Sequence, residues 1–274
     1  MTTGSGHTQS EIPFAMQTDP GTERGENEDS CGSYVESPTR VLLAVADGVG
    51  GEEGGEIASR AAIEVTLRAF RESPVEWGVA KRLYRAVQQA NIEIHDRALV
   101  VTELRGMSTT LTAVVLDDGM LHAAHVGDTR LYLIRDQGIT QKTMDHTVLA
   151  RRQRIGLVSA KRAQEHPERS TLTRCLGREL IAAVDRITFP VARGDVLLVC
   201  SDGLYNVLTD DEIRDGALNA DPVQACRALI ETANTRGAPD NLTVAVVLAT
   251  AEARENRTGW RDTLARLLGR SGQS

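Results

Sequence analysis

Two short apolar runs that end beside Asp-Gly pairs constrain the fold of this chain more than any other feature. Residues 41–46 lead directly into Asp47, and residues 196–200 are separated from Asp202 by Ser201 alone. Apolar runs of five or six residues bounded by turn residues are typical of buried strands. We therefore predict that the Asp47 and Asp202 carboxylates lie where buried strands end.

The same dipeptide occurs at two other positions, where it predicts only a turn. Asp-Gly is an ordinary turn signal, and the surroundings of Asp118 and Asp215 are polar. We predict a turn at each of these two positions. The neighbouring sequence, and not the dipeptide itself, thus separates candidate site residues from turn residues.

Acidic residues recur in five short motifs along the chain. In order, these are Arg24 with Glu28 and Asp29, residues 46–51 around Asp47, residues 127–130 around Asp128, residues 201–203 around Asp202, and residues 239–241 around Asp240. Carboxylates brought together raise one another's pKa unless a cation compensates their charge. Oxygen ligands select Mg²⁺ or Mn²⁺, and two such ions about 4 Å apart can activate a bridging water for attack on phosphorus. The motifs therefore predict a metal site that hydrolyses phosphate esters, with Arg24 as the candidate cation for the phosphoryl oxygens.

The residues that other phosphatase chemistries require are missing. None of the four cysteines is followed by an arginine six residues later, and the chain contains no Asp-x-Asp pair. These absences exclude a thiolate loop and an aspartyl-phosphate intermediate. Asp-x-His and Asn-His are also absent, and His122 and His125 fall on opposite faces of a predicted strand, which disfavours a histidine-ligated centre.

Composition limits the kinds of binding partner and the cellular compartment that we expect for this chain. The net charge of -7 and the pI near 5.5 argue against nucleic acid as a partner. Four scattered cysteines without CxxC spacing fit a reduced cytoplasm. Residues 1–11 are polar and predict a disordered leader, and no apolar run approaches the roughly 18 residues of a membrane span. We expect a cytoplasmic monomer.

Hydrophobic periodicity predicts an α+β fold with segregated layers. The predicted helices cover residues 53–72, 75–100, 210–217 and 221–234, and the predicted strands cover residues 12–18, 41–46, 111–116, 120–126, 131–135, 184–189, 196–200 and 242–249. A turn at residues 117–119 joins two of the strands into a hairpin. We expect one catalytic domain over residues 12–250.

Two segments leave alternatives open. Residues 142–178 carry nine basic residues against three acidic ones, and they interrupt the strands like an inserted flap. This segment is either a solvated helical surface or a docking face for a phosphorylated partner. The tail, residues 251–274, has Trp260, Leu264 and Leu267 at helical spacing among arginines, which predicts packing on its own domain or, less commonly, contact with a partner or membrane surface.

Taken in order, the five motifs resemble those of the metal-dependent serine/threonine phosphatases of the protein phosphatase 2C (PPM) family, especially the compact bacterial members. The resemblance runs from about residue 12 to residue 250. It implies a four-layer α-β-β-α sandwich with two central antiparallel sheets, and a dinuclear Mn²⁺ or Mg²⁺ site in a channel between the sheets. It also implies that residues 142–178 form the variable flap subdomain associated with substrate selection.

The resemblance further implies a set of metal ligands. Asp47 resembles the aspartate that bridges both ions, and Gly48 the residue whose carbonyl binds one of them. Asp202 and Asp240 resemble ligands of the other metal. Glu28 resembles the acidic residue that reaches the second metal directly or through water, with Asp29 beside it.

Two further positions follow from the resemblance, and one departs from it. Asp128 resembles the aspartate that holds a third, weaker ion together with Asp202, and Arg24 resembles the phosphate-binding arginine. Some family members carry a histidine just after the Asp-Gly as a proposed general acid, whereas this chain has Val49. The leaving group would then be protonated by a metal-bound water or another group.

These observations favour a phosphatase that acts on phosphoserine and phosphothreonine and reverses the action of a serine/threonine kinase. A phosphatase dedicated to one regulatory protein in a partner-switching circuit is an alternative with the same fold. A non-catalytic phosphoprotein-binding module is an alternative of a different class. Such a module would normally lose its metal acids, whereas all of them are present here.

Overall fold

Eleven antiparallel strands in the described residues form two sheets. A computed structural model describes residues 11–50, 54–158, 170–218 and 221–251. The strands are β1 (Phe14–Asp19), β2 (Asp29–Ser37), β3 (Arg40–Val49), β4 (Ser108–Thr109), β5 (Leu111–Asp117), β6 (Met120–Val126), β7 (Arg130–Arg135), β8 (Gly138–Gln141), β9 (Asp185–Pro190), β10 (Val196–Cys200) and β11 (Leu242–Leu248). One sheet has the order β1-β11-β10-β7-β8 and the other β2-β3-β5-β6-β9, with β4 paired to the end of β3.

Helices cover the outer faces of both sheets. They are α1 (Gly54–Glu72), α2 (Val79–Val100), α3 (Val148–Arg154), α4 (Asp202–Tyr205), α5 (Asp210–Leu218) and α6 (Pro222–Thr235), with a 3-10 turn at Thr102–Leu104. The long helices α1 and α2 pack on the sheet that contains β3, and α5 and α6 pack on the sheet that contains β10. The α+β sandwich expected from the sequence is therefore confirmed as four layers, with a third core between the sheets.

Strand β3 explains why residues 41–46 are apolar without interruption. Leu42 and Ala44 face α1 and α2, whereas Leu43 and Val45 face the second sheet. Successive side chains of a strand point to opposite faces. Because both faces of β3 are buried, every position of the run must be apolar, and the strand signal in the sequence is strong.

The predicted helices and strands are present, with their ends shifted by a few residues. The largest shift is at the start of α2, which begins at Val79 instead of residue 75. The Trp77 N–H donates to the Pro74 carbonyl in a preceding turn, and Gly78 takes the N-cap position. The sequence did not predict β2, an edge strand whose residues are largely polar and half-buried.

The two simple Asp-Gly pairs have different outcomes. Asp118 and Gly119 have φ of 44° and 81° in the tight turn between β5 and β6, as predicted. The prediction of a turn at Asp215 is wrong, because this residue lies inside α5. A Cβ on Gly216 would lie 2.6 Å from a Leu229 side-chain carbon, so the glycine allows α5 to approach α6 closely.

The predicted leader and tail lie outside the described residues, except for Glu11 and Ala251 at their inner ends. None of the described helices is long and apolar enough to cross a membrane.

Candidate metal centre

Asp47 lies near the end of β3, where its main chain is held by two threonines. Its N–H donates to the Thr110 hydroxyl over 3.0 Å. Its carbonyl accepts from the Thr110 N–H and from the Thr109 hydroxyl, each over 2.8 Å. Asp29 is the cross-strand neighbour of Asp47 in the β2-β3 pair. The pairing therefore brings two carboxylates together at one end of the sheet.

Glu28 lies between Gly48 and the first turn of α1. The Gly48 N–H donates to the Glu28 carbonyl over 3.1 Å. A Cβ on Gly48 would lie 2.2 Å from the Gly55 carbonyl oxygen, so no larger residue fits at position 48. A Cβ on Gly55 would lie 2.3 Å from Glu28 Oε1, which shows that the Glu28 carboxylate contacts the first turn of the helix. Burial raises the pKa of Glu28 against the opposing effect of Arg24.

Asn241 ties the loop before β2 to the last acidic motif. Its Oδ1 accepts from the Glu28 N–H over 2.9 Å, and its Nδ2 donates to the carbonyls of Pro20 and Glu26 over 3.0 and 2.9 Å. The sequence alone did not predict a role for Asn241, although this residue lies in the motif of residues 239–241. These bonds fix Glu28 relative to Asp240, which directly precedes Asn241.

Asp202 and Asp240 lie at the same end of two neighbouring strands in the other sheet. Asp202 follows the end of β10, and Asp240 precedes the start of the antiparallel neighbour β11. The Ser201 N–H donates to the Thr243 carbonyl over 3.0 Å, which holds the two strand ends together. Arg24 forms an ion pair with Asp240 over 3.0 Å, and the attraction to Asp240 raises the pKa of Arg24.

Asp128 is nearly buried, with 5% of its surface exposed, in the sharp bend between β6 and β7. Its carbonyl accepts from the Tyr205 hydroxyl over 2.9 Å. The preceding Gly127 has φ of 110°, and its N–H donates to His146 Nδ1. Sequence reasoning missed both Tyr205 and His146, because their contacts with this bend are long-range.

The electrostatics show that these carboxylates converge. Burial raises the pKa of Asp47 well above its ordinary value, and Asp29, Asp202, Asp128 and Asp240 add to the effect in that order. Burial likewise raises the pKa of Asp128, with Asp202 as the next cause. Carboxylates from separate motifs therefore repel one another in a site that is partly closed to solvent, and a bound cation would compensate their charge.

Asp29 is another carboxylate whose charge a bound cation would compensate. Burial raises its pKa to about 7, against hydrogen bonding from Ser201 and Thr243. Its Oδ2 is buried and has no hydrogen-bond partner among the residues that the structure describes. An orphaned carboxylate oxygen beside Asp47 fits an outer position of a cation site.

No group of three or more His, Cys, Asp or Glu side chains within the described ranges is spaced so that it could hold a metal ion as it stands. The carboxylates nevertheless raise the pKa of Asp47 together, so their charge is concentrated where water compensates it poorly. The donors are carboxylate and carbonyl oxygens, and this chemistry fits Mg²⁺ or Mn²⁺.

A cleft of about 840 Å³ opens beside Asp128 and Asp202. Helix α3 and the residues before it form one wall, and residues 205–211 form the other. Two of the candidate ligands, Asp128 and Asp202, line the cleft.

A sequence model of the family described as protein phosphatase 2C matches residues 23–246. The chain belongs to the protein phosphatase 2C family. Among its relatives, the serine/threonine phosphatase stp of Listeria monocytogenes is 33% identical over 236 residues, which cover 85% of this chain and 94% of the relative.

Solved structures of protein phosphatase 2C members share the fold. The Mycobacterium tuberculosis serine/threonine phosphatase PstP/Ppp aligns with a TM-score of 0.79 and 34% identity, covering 87% of this chain and 99% of that one. The catalytic domain of PstP in complex with two manganese ions aligns with a TM-score of 0.77 and 32% identity, covering 87% of this chain and 98% of that one.

Proposed function

We propose that this chain is a serine/threonine protein phosphatase that hydrolyses phosphoserine and phosphothreonine at a dinuclear Mn²⁺ or Mg²⁺ centre. The observation that carries the proposal is the set of mutually repelling carboxylates around Asp47, of which Asp29 and Asp128 are buried. Family membership supports it, as do the name of the Listeria relative and the two manganese ions in the PstP structure.

In this proposal Asp47 would hold both ions, and the Gly48 carbonyl would bind one of them. Asp202 and Asp240 would bind the other ion, and Glu28 would reach the second metal directly or through water. Divalent ions at such a centre lower the pKa of a water and withdraw charge from the phosphoryl oxygens. The carboxylates would hold these ions in place at the reacting phosphate.

The remaining roles are also proposals. Asp128 and Asp202 hold a third, weaker ion, and residues 142–178 form a flap that selects the phosphoprotein within a catalytic domain of residues 12–250. The biological partner is a phosphorylated protein whose serine/threonine kinase this enzyme counteracts in the cytoplasm. Since Val49 cannot donate a proton, the leaving group is protonated by another group of the site.

Arg24 is proposed to bind the phosphoryl oxygens, and Arg24→Ala is expected to raise the KM for a phosphothreonine peptide about tenfold, with a smaller change in kcat. The reason is the loss of charge-assisted hydrogen bonds, worth roughly 1.5 to 3 kcal/mol. Steady-state kinetics measure the effect. Arg60→Ala is the matched control, since Arg60 is similarly exposed and pairs with Glu56 on α1. An unchanged KM in Arg24→Ala would remove this role.

The proposed function is tested with purified protein on a phosphothreonine peptide, with Mn²⁺ and with EDTA. We expect turnover with Mn²⁺, none with EDTA, and a large loss in Asp240→Asn that folds normally by circular dichroism. Binding of the phosphopeptide without turnover would favour the non-catalytic module. Equal turnover by wild type and Asp240→Asn would show that Asp240 is not a ligand.

A further inference from the structure

His146 lies at the base of the proposed flap and holds the residue before Asp128 at two points. Its main-chain N–H donates to the Gly127 carbonyl over 2.7 Å. Its Nδ1 accepts from the Gly127 N–H over 3.1 Å. The His146 side chain is buried, with 6% exposed. One histidine thus fixes both polar groups of Gly127.

These contacts also determine the tautomer of His146. Since Nδ1 accepts a hydrogen bond, the ring proton is on Nε2, which donates to Asp185 Oδ2 over 3.1 Å. Arg174 donates to the other oxygen of Asp185 over 2.9 Å. The ring therefore has a fixed orientation, with its acceptor toward Gly127 and its donor toward β9.

Gly127 links His146 to two candidate ligands, Asp128 and Asp47. Its φ of 110° bends the chain directly before Asp128. A Cβ at this position would lie 2.4 Å from Thr110 Cβ, so the glycine is packed against Thr110. Thr110 in turn makes the two main-chain hydrogen bonds to Asp47. A shift of Gly127 would therefore displace both Asp128 and the support of Asp47.

The neighbouring Asp145 holds the other side of the same bend. Its carboxylate accepts from two nitrogens of Arg130, the shorter bond being 2.7 Å. The Arg130 guanidinium lies 3.5 Å from the centre of the Tyr205 ring. The Tyr205 hydroxyl donates to the Asp128 carbonyl. We call His146, Asp145, Arg130 and Tyr205 the Asp128 clamp.

The Asp128 clamp is continuous with the flap helix. Thr147, the next residue, caps α3 by accepting from the Ala150 N–H over 3.1 Å. The Thr173 N–H donates to the His146 carbonyl over 2.7 Å, so the far end of the segment is tied to the same residue. The wall of the cleft and the support of Asp128 are thus one structural unit.

We propose that the Asp128 clamp, with His146 as its central positioning residue, holds the Asp128 carboxylate in place for metal binding and couples it to the base of the flap. The inference rests on the proposed function, in which Asp128 is a metal ligand. His146 acts through Gly127 and touches neither substrate nor ion. Its contribution is to Mn²⁺ binding and to the Mn²⁺ dependence of turnover.

Two substitutions separate the halves of the His146 contact. In His146→Asn, the side-chain oxygen occupies the position of Nδ1 and can still accept from Gly127. In His146→Gln, the amide extends toward Asp185 and the acceptor beside Gly127 is lost. We expect His146→Gln to weaken the weakest Mn²⁺ site about tenfold by isothermal titration calorimetry and to raise the Mn²⁺ concentration for half-maximal rate equally, whereas His146→Asn stays within about threefold of wild type.

A double-mutant cycle and a second variant complete the test. In an Asp128→Asn background, His146→Gln should have no further effect on Mn²⁺ binding. Tyr205→Phe removes the hydroxyl bond to Asp128 but keeps the ring under Arg130, and it should weaken the same site about threefold if His146→Gln does not fold. Thermal unfolding reports the folding of each variant.

The outcomes distinguish the clamp from the metal site itself. Equal losses in His146→Asn and His146→Gln, an undiminished effect of His146→Gln in the Asp128→Asn background, or normal Mn²⁺ binding by Tyr205→Phe would overturn the proposal. Unchanged Mn²⁺ binding in Asp128→Asn alone would instead show that Asp128 is not a ligand. The proposed role of the Asp128 clamp would then be wrong because its premise, the ligand assignment, is wrong.

Discussion

Asp47→Asn is expected to lower kcat for a phosphothreonine peptide roughly a thousandfold and to stabilise the metal-free protein. The loss is expected because the Asp47 carboxylate is proposed to hold both ions, and metal catalysis supplies several kcal/mol, at about 1.36 kcal/mol per tenfold in rate. The gain follows because burial and four neighbouring aspartates disfavour the charged Asp47. Single-turnover kinetics with Mn²⁺ and chemical unfolding in EDTA measure the two effects.

The pH dependence of this variant has a definite sign. A carboxylate whose pKa is raised in the folded state binds more protons there than in the unfolded chain. Metal-free wild type should therefore lose stability as the pH rises above the ordinary carboxylate range toward the raised pKa of Asp47. Asp47→Asn should lose less stability over the same range.

Asp118→Asn is the matched control for Asp47→Asn, since it changes the same dipeptide in a surface turn. Asparagine tolerates positive φ, so this variant should keep wild-type kcat and stability. A kcat for Asp47→Asn within tenfold of wild type at saturating Mn²⁺ would contradict the role of Asp47.

Arg82→Met is expected to lower the free energy of unfolding by about 3 kcal/mol, because it breaks a buried ion pair and removes a donor shared by three acceptor residues. Arg82 is 1% exposed, lies over the Phe70 ring, and donates to Glu36, to the Ser73 hydroxyl and to the Phe70 carbonyl. The network fastens α1 and α2 to the end of β2. Urea unfolding measures the change.

The acid limb of the unfolding curve adds a second test of this network. Burial alone would raise the pKa of Glu36, but hydrogen bonds from Arg82 and Arg40 outweigh it and lower the pKa. The stability that Glu36 contributes is present above its unfolded pKa and is lost as the pH falls through the lowered folded value. Arg82→Met should weaken this dependence.

Arg68→Met is the control, since Arg68 pairs with Glu93 between the same two helices but is half exposed. Exposed pairs contribute about 0 to 1 kcal/mol. Equal destabilisation by Arg82→Met and Arg68→Met would show that burial of the Arg82 pair has no special effect.

The sequence predicts the elements whose burial is complete. β3 and β10 are buried on both faces, so their apolar runs stand out, and the carboxylates that follow them stand out too. β2 is a half-buried edge strand whose pattern is too polar to recognise. Asp215 was misassigned because tertiary packing of Gly216 on α6 overrides the local preference of Asp-Gly for a turn.

The site divides in the same way. Its candidate ligands can be found from the sequence because each stands in a short motif of its own. Asn241, Tyr205 and His146 could not be found, because their roles depend on hydrogen bonds to loops that are distant in the chain. Local sequence motifs therefore predict the charged candidate ligands. The residues that position those ligands can be identified only from the folded structure.

Isothermal titration calorimetry of Mn²⁺ into EDTA-stripped wild-type protein tests the central claim most directly. At least two ions per chain are predicted to bind, as two manganese ions do in the PstP structure. Asp47→Asn is predicted to lose both strong sites while Asp118→Asn keeps them. Well-folded wild-type protein that takes up no Mn²⁺ would contradict the account.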